Sequence, residues 1–118
     1  MNDLERAVRA SKQIEARLER QFGARGKGLH EKVSSVERSL PAALVKRIRY
    51  VATLRNKLVH EDNYHRLDDR ASFKRAVKTI QQEFRKMDKS PFPWGLAIVS
   101  TLVVAIFVAI ALLFLGLV

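Results

Sequence analysis

Residues 55–60 read RNKLVH, a helix-compatible run that sets Arg55 and Asn56 a few positions before His60. Arginine offers a planar, permanently charged fork of N–H donors that matches a phosphate. Histidine, with an unperturbed pKa of about 6.5, passes protons near neutrality. The pair suits transfer at phosphorus, one side chain moving a proton while the other holds developing charge. The arginine is also out of place. With Leu44 set at zero and about 100° per residue, Arg55 falls at roughly 20°. That is the middle of the apolar stripe formed by Leu44, Val45, Ile48, Val51, Ala52, Leu58 and Val59. Asn56 falls at about 120° and His60 at about 160°, on the border of the polar face, where the amide can reach the imidazole. A guanidinium taken from water needs partners. Arg55 therefore meets a carboxylate such as Glu61 or Asp62, faces a subunit interface, or lines a site that receives an anion. His60 alternatively reads as a helix C-terminal histidine favoured by the dipole.

The elements that must position these residues read as helices. Asn2 with Glu5 matches a capping box, and Leu4, Val8, Ser11, Ile14, Leu18 and Phe22 recur at helical spacing, predicting a first helix to about Gln21. GARGKG, residues 23–28, breaks it. Its glycines match neither dinucleotide nor Walker spacing and follow no strand, so they carry little weight as a phosphate loop. LHEKVSSVERSL predicts a short second helix with Leu29, Val33, Val36 and Leu40 inward. Pro41 suits the first turn of a third helix running to His60. EDNYHRLDD is a loop, and Phe73, Ala76, Val77, Ile80, Phe84 and Met87 mark a fourth helix. The expected class is all-α: a four-helix bundle over 1–89, a Pro-containing linker over 90–94, and a final helix.

That final stretch, Gly95 to Val118, is 24 residues without a charge. About 20 apolar residues cross a bilayer core of roughly 30 Å, so a transmembrane helix is expected there, acting as a tail anchor. All 22 basic and 12 acidic residues precede it, giving the helical part a formal charge of +10. Retention of Lys and Arg on the inner side predicts a single-pass protein with a cytoplasmic N-terminal domain, as at a bacterial inner membrane. Arg85, Lys86 and Lys89 flank the span, and Trp94 suits the headgroup level. The basic surface fits anionic lipid, solvated helical faces, or RNA phosphates. For an RNA backbone, Lys46, Arg47, Arg49 and Lys57, near the motif, are the first candidates, with Lys74, Arg75 and Lys78 a second cluster. Cysteine is absent, and His30, His60 and His65 do not stand at metal-ligand spacing, so no metal or cofactor is expected.

The motif and its helical setting resemble the HEPN superfamily, whose R-x(4–6)-H signature lies at the end of a late core helix in a small all-α bundle. The resemblance covers roughly residues 1–88. It implies a homodimer with a composite cleft and, in many members, a metal-independent endoribonuclease that leaves 2′,3′-cyclic phosphate ends. By the same resemblance Arg55 would hold the scissile phosphate, Asn56 would orient the site and His60 would transfer the proton. Members acting as toxins in RNA restriction or defence pair with an antitoxin or regulatory protein, and some carry R-x4-H-x-Y; this chain has Asp62 at that position and its nearest tyrosine at Tyr64. Other members are non-catalytic dimerisation or adaptor modules that bind a protein partner. For this chain such a module would be membrane-anchored, with Arg55 as an interface ion-pair residue and the basic charge meeting anionic lipid.

Overall fold

A computed structural model describes residues 1–88 and 92–116, the stretch 92–101 through its backbone. The described residues are all-α, with five α-helices: α1 (Asp3–Phe22), α2 (Leu29–Val36), α3 (Ala42–His60), α4 (Arg70–Asp88) and α5 (Phe92–Phe114). They fall into two compact units, Met1–Met87 and Asp88–Val118.

In the first unit α1 is the common neighbour. Asn2 caps it, its side-chain oxygen accepting from the Glu5 N–H at 2.8 Å. Gly23 ends it at φ 70°, a left-handed position that glycine adopts without a Cβ penalty. The buried face of α1 is Asp3, Ala7, Ala10, Ser11, Ile14 and Leu18. The expected stripe was right from Ser11 onward and wrong before it: Leu4 is 40% exposed and Val8 only half-buried. Ala7 and Ala10 take the inner positions because small side chains let α1 approach its neighbours closely, and α1 packs on both α2 and α3.

The second helix is shorter than its apolar pattern predicts. It gives way at Glu37–Ser39 to a 3₁₀ turn that still delivers Leu40 to the core. Pro41 stands just before α3 rather than in its first turn. From α3 the core receives Leu44, Ile48, Val51, Ala52 and Leu58, whereas Val59, expected inward, is 41% exposed. From α4 come Phe73, Ile80 and Phe84, with Ala76, Val77 and Met87 packed half-buried at the edge. Phe84 closes on α1, its ring 6.3 Å from that of Phe22 and 5.7 Å from the Arg17 guanidinium carbon.

A polar clasp joins the beginning of α1 to the beginning of α4. The Asp3 side chain is 2% exposed. It accepts from the Leu67 N–H at 3.0 Å and from Arg70 Nε at 2.8 Å and Nη2 at 3.2 Å. The hydrogen bond from Arg70, then that from Leu67, holds the Asp3 carboxyl below its ordinary pKa.

The second unit is α5. Its helix begins at Phe92, so residues 92–94, expected as linker, are helical, while 89–91 lie outside the described residues. Every side chain described in it, Leu102 to Gly116, is exposed, Phe114 at 92%. Among the described residues no helix is long and apolar enough to cross a membrane. The span expected from the sequence also takes in Leu117 and Val118, outside those residues.

Candidate functional site

Arg55 does line a concave site. A cleft of about 390 Å³ opens between α1, the start of α2 and α3, walled by Ser11, His30, Ala52, Arg55 and Asn56 among others. Arg55 is half-buried rather than enclosed, because at its level the stripe of α3 faces this cleft instead of another helix. Its Nη1 donates to Asn56 Oδ1 at 3.1 Å, which holds the guanidinium along the cleft wall. Among the described residues no carboxylate lies within ion-pair distance of Arg55, and neither Glu61 nor Asp62 serves it. Of the three readings open for this arginine, the intrachain ion pair fails.

The motif is not assembled within one chain. His60 is the last residue of α3, exposed, and outside the cleft wall. Asn56 turns its oxygen to Arg55 and makes no hydrogen bond to the imidazole. Helical geometry explains this, since residues five apart stand about 140° from each other.

The imidazole that shares a cleft with Arg55 comes from α2. His30 lines the cleft and sits 3.4 Å from Thr53 Oγ1 of α3. Beside it the GARGKG loop is held against α2. The Arg25 N–H donates to Ser35 Oγ at 3.0 Å and the Lys27 N–H to Glu31 Oε2 at 2.7 Å. Gly26, at φ 142°, passes so close that a Cβ there would stand 2.5 Å from Glu31 Cβ. Two of the loop's amides are therefore spent on α2, and the loop is a brace rather than a phosphate cradle. Gly28, which precedes the helix, supplies no side-chain cap to the first turn of α2.

Lys32 anchors α2 to α1, 2.8 Å from Glu19 and 3.8 Å from Glu15. The hydrogen bond to Glu19 raises its pKa, which keeps it charged. Of the basic candidates for an RNA backbone, Lys46 and Arg47 are exposed on α3. Arg49 is already engaged, donating to Ser34 Oγ at 2.9 Å and Glu37 Oε2 at 3.2 Å. Lys57 stands 5.8 Å over the Tyr64 ring.

Sequence reasoning passed over Ser11 and His30. Ser11 was visible as a hydroxyl in the middle of the α1 stripe, the same kind of misfit as Arg55 on α3. His30 gave no local sign, because its role depends on α2 crossing α3. Among the described residues no group of three or more His, Asp or Glu side chains stands together as a cation site requires. Compared with known proteins, the chain matches no family model, no curated protein and no solved structure.

Proposed function

We propose that the chain is a membrane-tethered, HEPN-like endoribonuclease that needs no metal and works as a homodimer. The observation that carries this is Arg55: a half-buried guanidinium, oriented by Asn56, facing a cleft and lacking any carboxylate among the described residues. A residue so placed has donors left over for an anion beside the one given to Asn56, and the HEPN resemblance makes that anion the scissile phosphate. The exposed end of α3 leaves His60 available to a second protomer, so the pairing of Arg55 with His60 is across the dimer. RNA supplies the nucleophile. The histidine takes the 2′-hydroxyl proton, the oxygen attacks phosphorus, and the 5′-oxygen leaves with the proton that the imidazolium gives back as the 2′,3′-cyclic phosphate closes. Arg55 holds the charge that builds on the non-bridging oxygens.

The apolar helix supports the tether. A helix that is hydrophobic all round is stable in a large core or in lipid, and the residues Leu102–Gly116 are exposed. With Gly95–Val118 in the bilayer, the +10 charge of the first unit stays on the cytoplasmic side.

A second reading has its own observation. His60 makes no hydrogen bond or ion pair among the described residues and stays outside the cleft. That fits a non-catalytic, membrane-anchored adaptor, in which Arg55 meets a carboxylate of a protein partner or of a second copy. The full chain in detergent, incubated with structured RNA in EDTA, separates the two. Cleavage that is lost in His60→Ala supports the ribonuclease. Intact RNA together with loss of the dimer in Arg55→Ala supports the adaptor.

A further inference from the structure

Between α1 and α4 runs a groove of about 260 Å³, with Ala10, Phe73 and Val77 as its apolar lining. Arg6 and Arg9 of α1 and Lys74 and Lys78 of α4 line it too, and among the described residues no carboxylate does. Arg9, Lys74 and Lys78 are exposed and have no carboxylate within ion-pair distance among those residues. Arg6 stands 3.9 Å from Asp3, whose oxygens already serve Arg70 and Leu67, and its Nε makes no hydrogen bond. Lys74 and Lys78 are about one turn apart on α4, as are Arg6 and Arg9 on α1, and like charges at that spacing repel. The repulsion persists until an anion joins them. Next to the groove, and sharing Arg9 and Gln13 with it, α1 presents a second, shallow hollow. Leu4, 40% exposed, and the half-buried Val8 line this one, with Lys12 beside them. Glu5 is the one carboxylate lining either space among the described residues. Met1, 62% exposed, adds an apolar side chain at the groove.

We infer that this α1–α4 face docks on the surface of an anionic bilayer, its cations on the headgroups and Met1, Leu4 and Val8 at the boundary with the acyl chains. Two needs of the face are met there together. Anionic lipid neutralises clustered Lys and Arg, and the interface covers apolar side chains that stand beside basic ones. RNA would supply the charge and leave Met1, Leu4 and Val8 in water. An acidic protein segment meets both needs as well, but the tether decides between the two, because it holds the unit where headgroups are at high effective concentration. The docking rests on that tether and is independent of the Arg55 chemistry.

The chain has no cysteine, so single reporters can be placed in it. The full chain is reconstituted in phosphatidylcholine vesicles with or without phosphatidylglycerol, carrying a fluorescent dye at Gln13→Cys, Ala43→Cys or Val108→Cys. Gln13 is exposed and lines both spaces, Ala43 is exposed on α3 and lines neither, and Val108 lies in α5. Quenching by spin-labelled lipid reads contact with the bilayer. The dye at Val108 should be quenched in both vesicles, that at Gln13 only with phosphatidylglycerol, and that at Ala43 in neither. Lys74→Gln combined with Lys78→Gln should lower the docked-to-free ratio at Gln13 about twenty-five-fold, at about fivefold per cation. Leu4→Gln should lower it about threefold or more. Both lysines are exposed, so the melting temperature should hold, which keeps lost docking from being read as lost folding. Quenching at Gln13 that ignores phosphatidylglycerol or the lysine substitutions, or that Ala43 matches, overturns the face and leaves the tether standing. An unquenched Val108 removes the tether and the docking with it. A Gln13 dye indifferent to phosphatidylglycerol but shifted by RNA or by polyglutamate overturns the lipid and assigns the face to a nucleic acid or an acidic protein.

Discussion

Asp3 is the acidic residue whose removal should cost the first unit most. Replacing it with alanine deletes the acceptor for the Leu67 N–H and for Arg70. Arg70, its side chain 53% exposed, returns to water when its partner is lost. The Leu67 amide has no such recourse, because the residue is 7% exposed. An unpaired buried donor costs about 1–3 kcal/mol, and about 2 kcal/mol is a reasonable centre. For a unit of this size each kcal/mol moves the midpoint by about 4–8 °C, so melting should fall by roughly 8–16 °C. Circular dichroism of the full chain in detergent measures this, and exchange of the Leu67 amide should accelerate with it. The effect should also depend on pH in a definite direction. The folded pKa of Asp3 is depressed from its ordinary 3.8. Its stabilisation is then complete above that value and is lost as pH falls through the folded pKa. The gap between wild type and Asp3→Asn should accordingly be wide at pH 7 and close in strong acid. A melting temperature for Asp3→Ala within about 2 °C of wild type would refute the clasp as a stabilising contact.

Three further outcomes are expected. Phe73, fully buried, should cost about 3–5 kcal/mol on truncation to alanine, read as a shift in the denaturation midpoint. Gly26→Ala meets both a φ of 142° and a Cβ 2.5 Å from Glu31 Cβ, so it should cost about 1–3 kcal/mol and loosen the start of α2, seen in amide exchange of Lys27. His60→Ala, at an exposed position, should leave stability within about 0.5 kcal/mol, so any activity it removes is chemistry and not folding.

Much of this fold is legible locally. The cap at Asn2, the helix break at Gly23, the stripe of α4 and that of α3 as far as Leu58 all follow from neighbours within a turn or two. The errors on α1 have one physical source, which is packing between elements distant in the chain. Leu4 and Val8 look like core until alanines are needed where α1 meets α2 and α3. Asp3 looks like a helix-start carboxylate, and nothing nearby says that Leu67 and Arg70 will bury it. The site divides the same way. Arg55 announced itself as a charge on an apolar face, and its separation from His60 follows from their spacing on one helix, whereas the cleft it shares with Ser11 and His30 arises from how three helices cross.

The central claim is that Arg55 serves RNA phosphate chemistry, and the nature of the cut ends tests it most directly. Full-length protein and Arg55→Ala, matched in melting temperature, would be incubated with RNA in EDTA and the product termini identified by mass spectrometry. The expected result is 2′,3′-cyclic phosphate and 5′-hydroxyl ends from the wild type alone. Intact RNA from both proteins across the dimer's concentration range, or the same cyclic ends from Arg55→Ala at an undiminished rate, would contradict it.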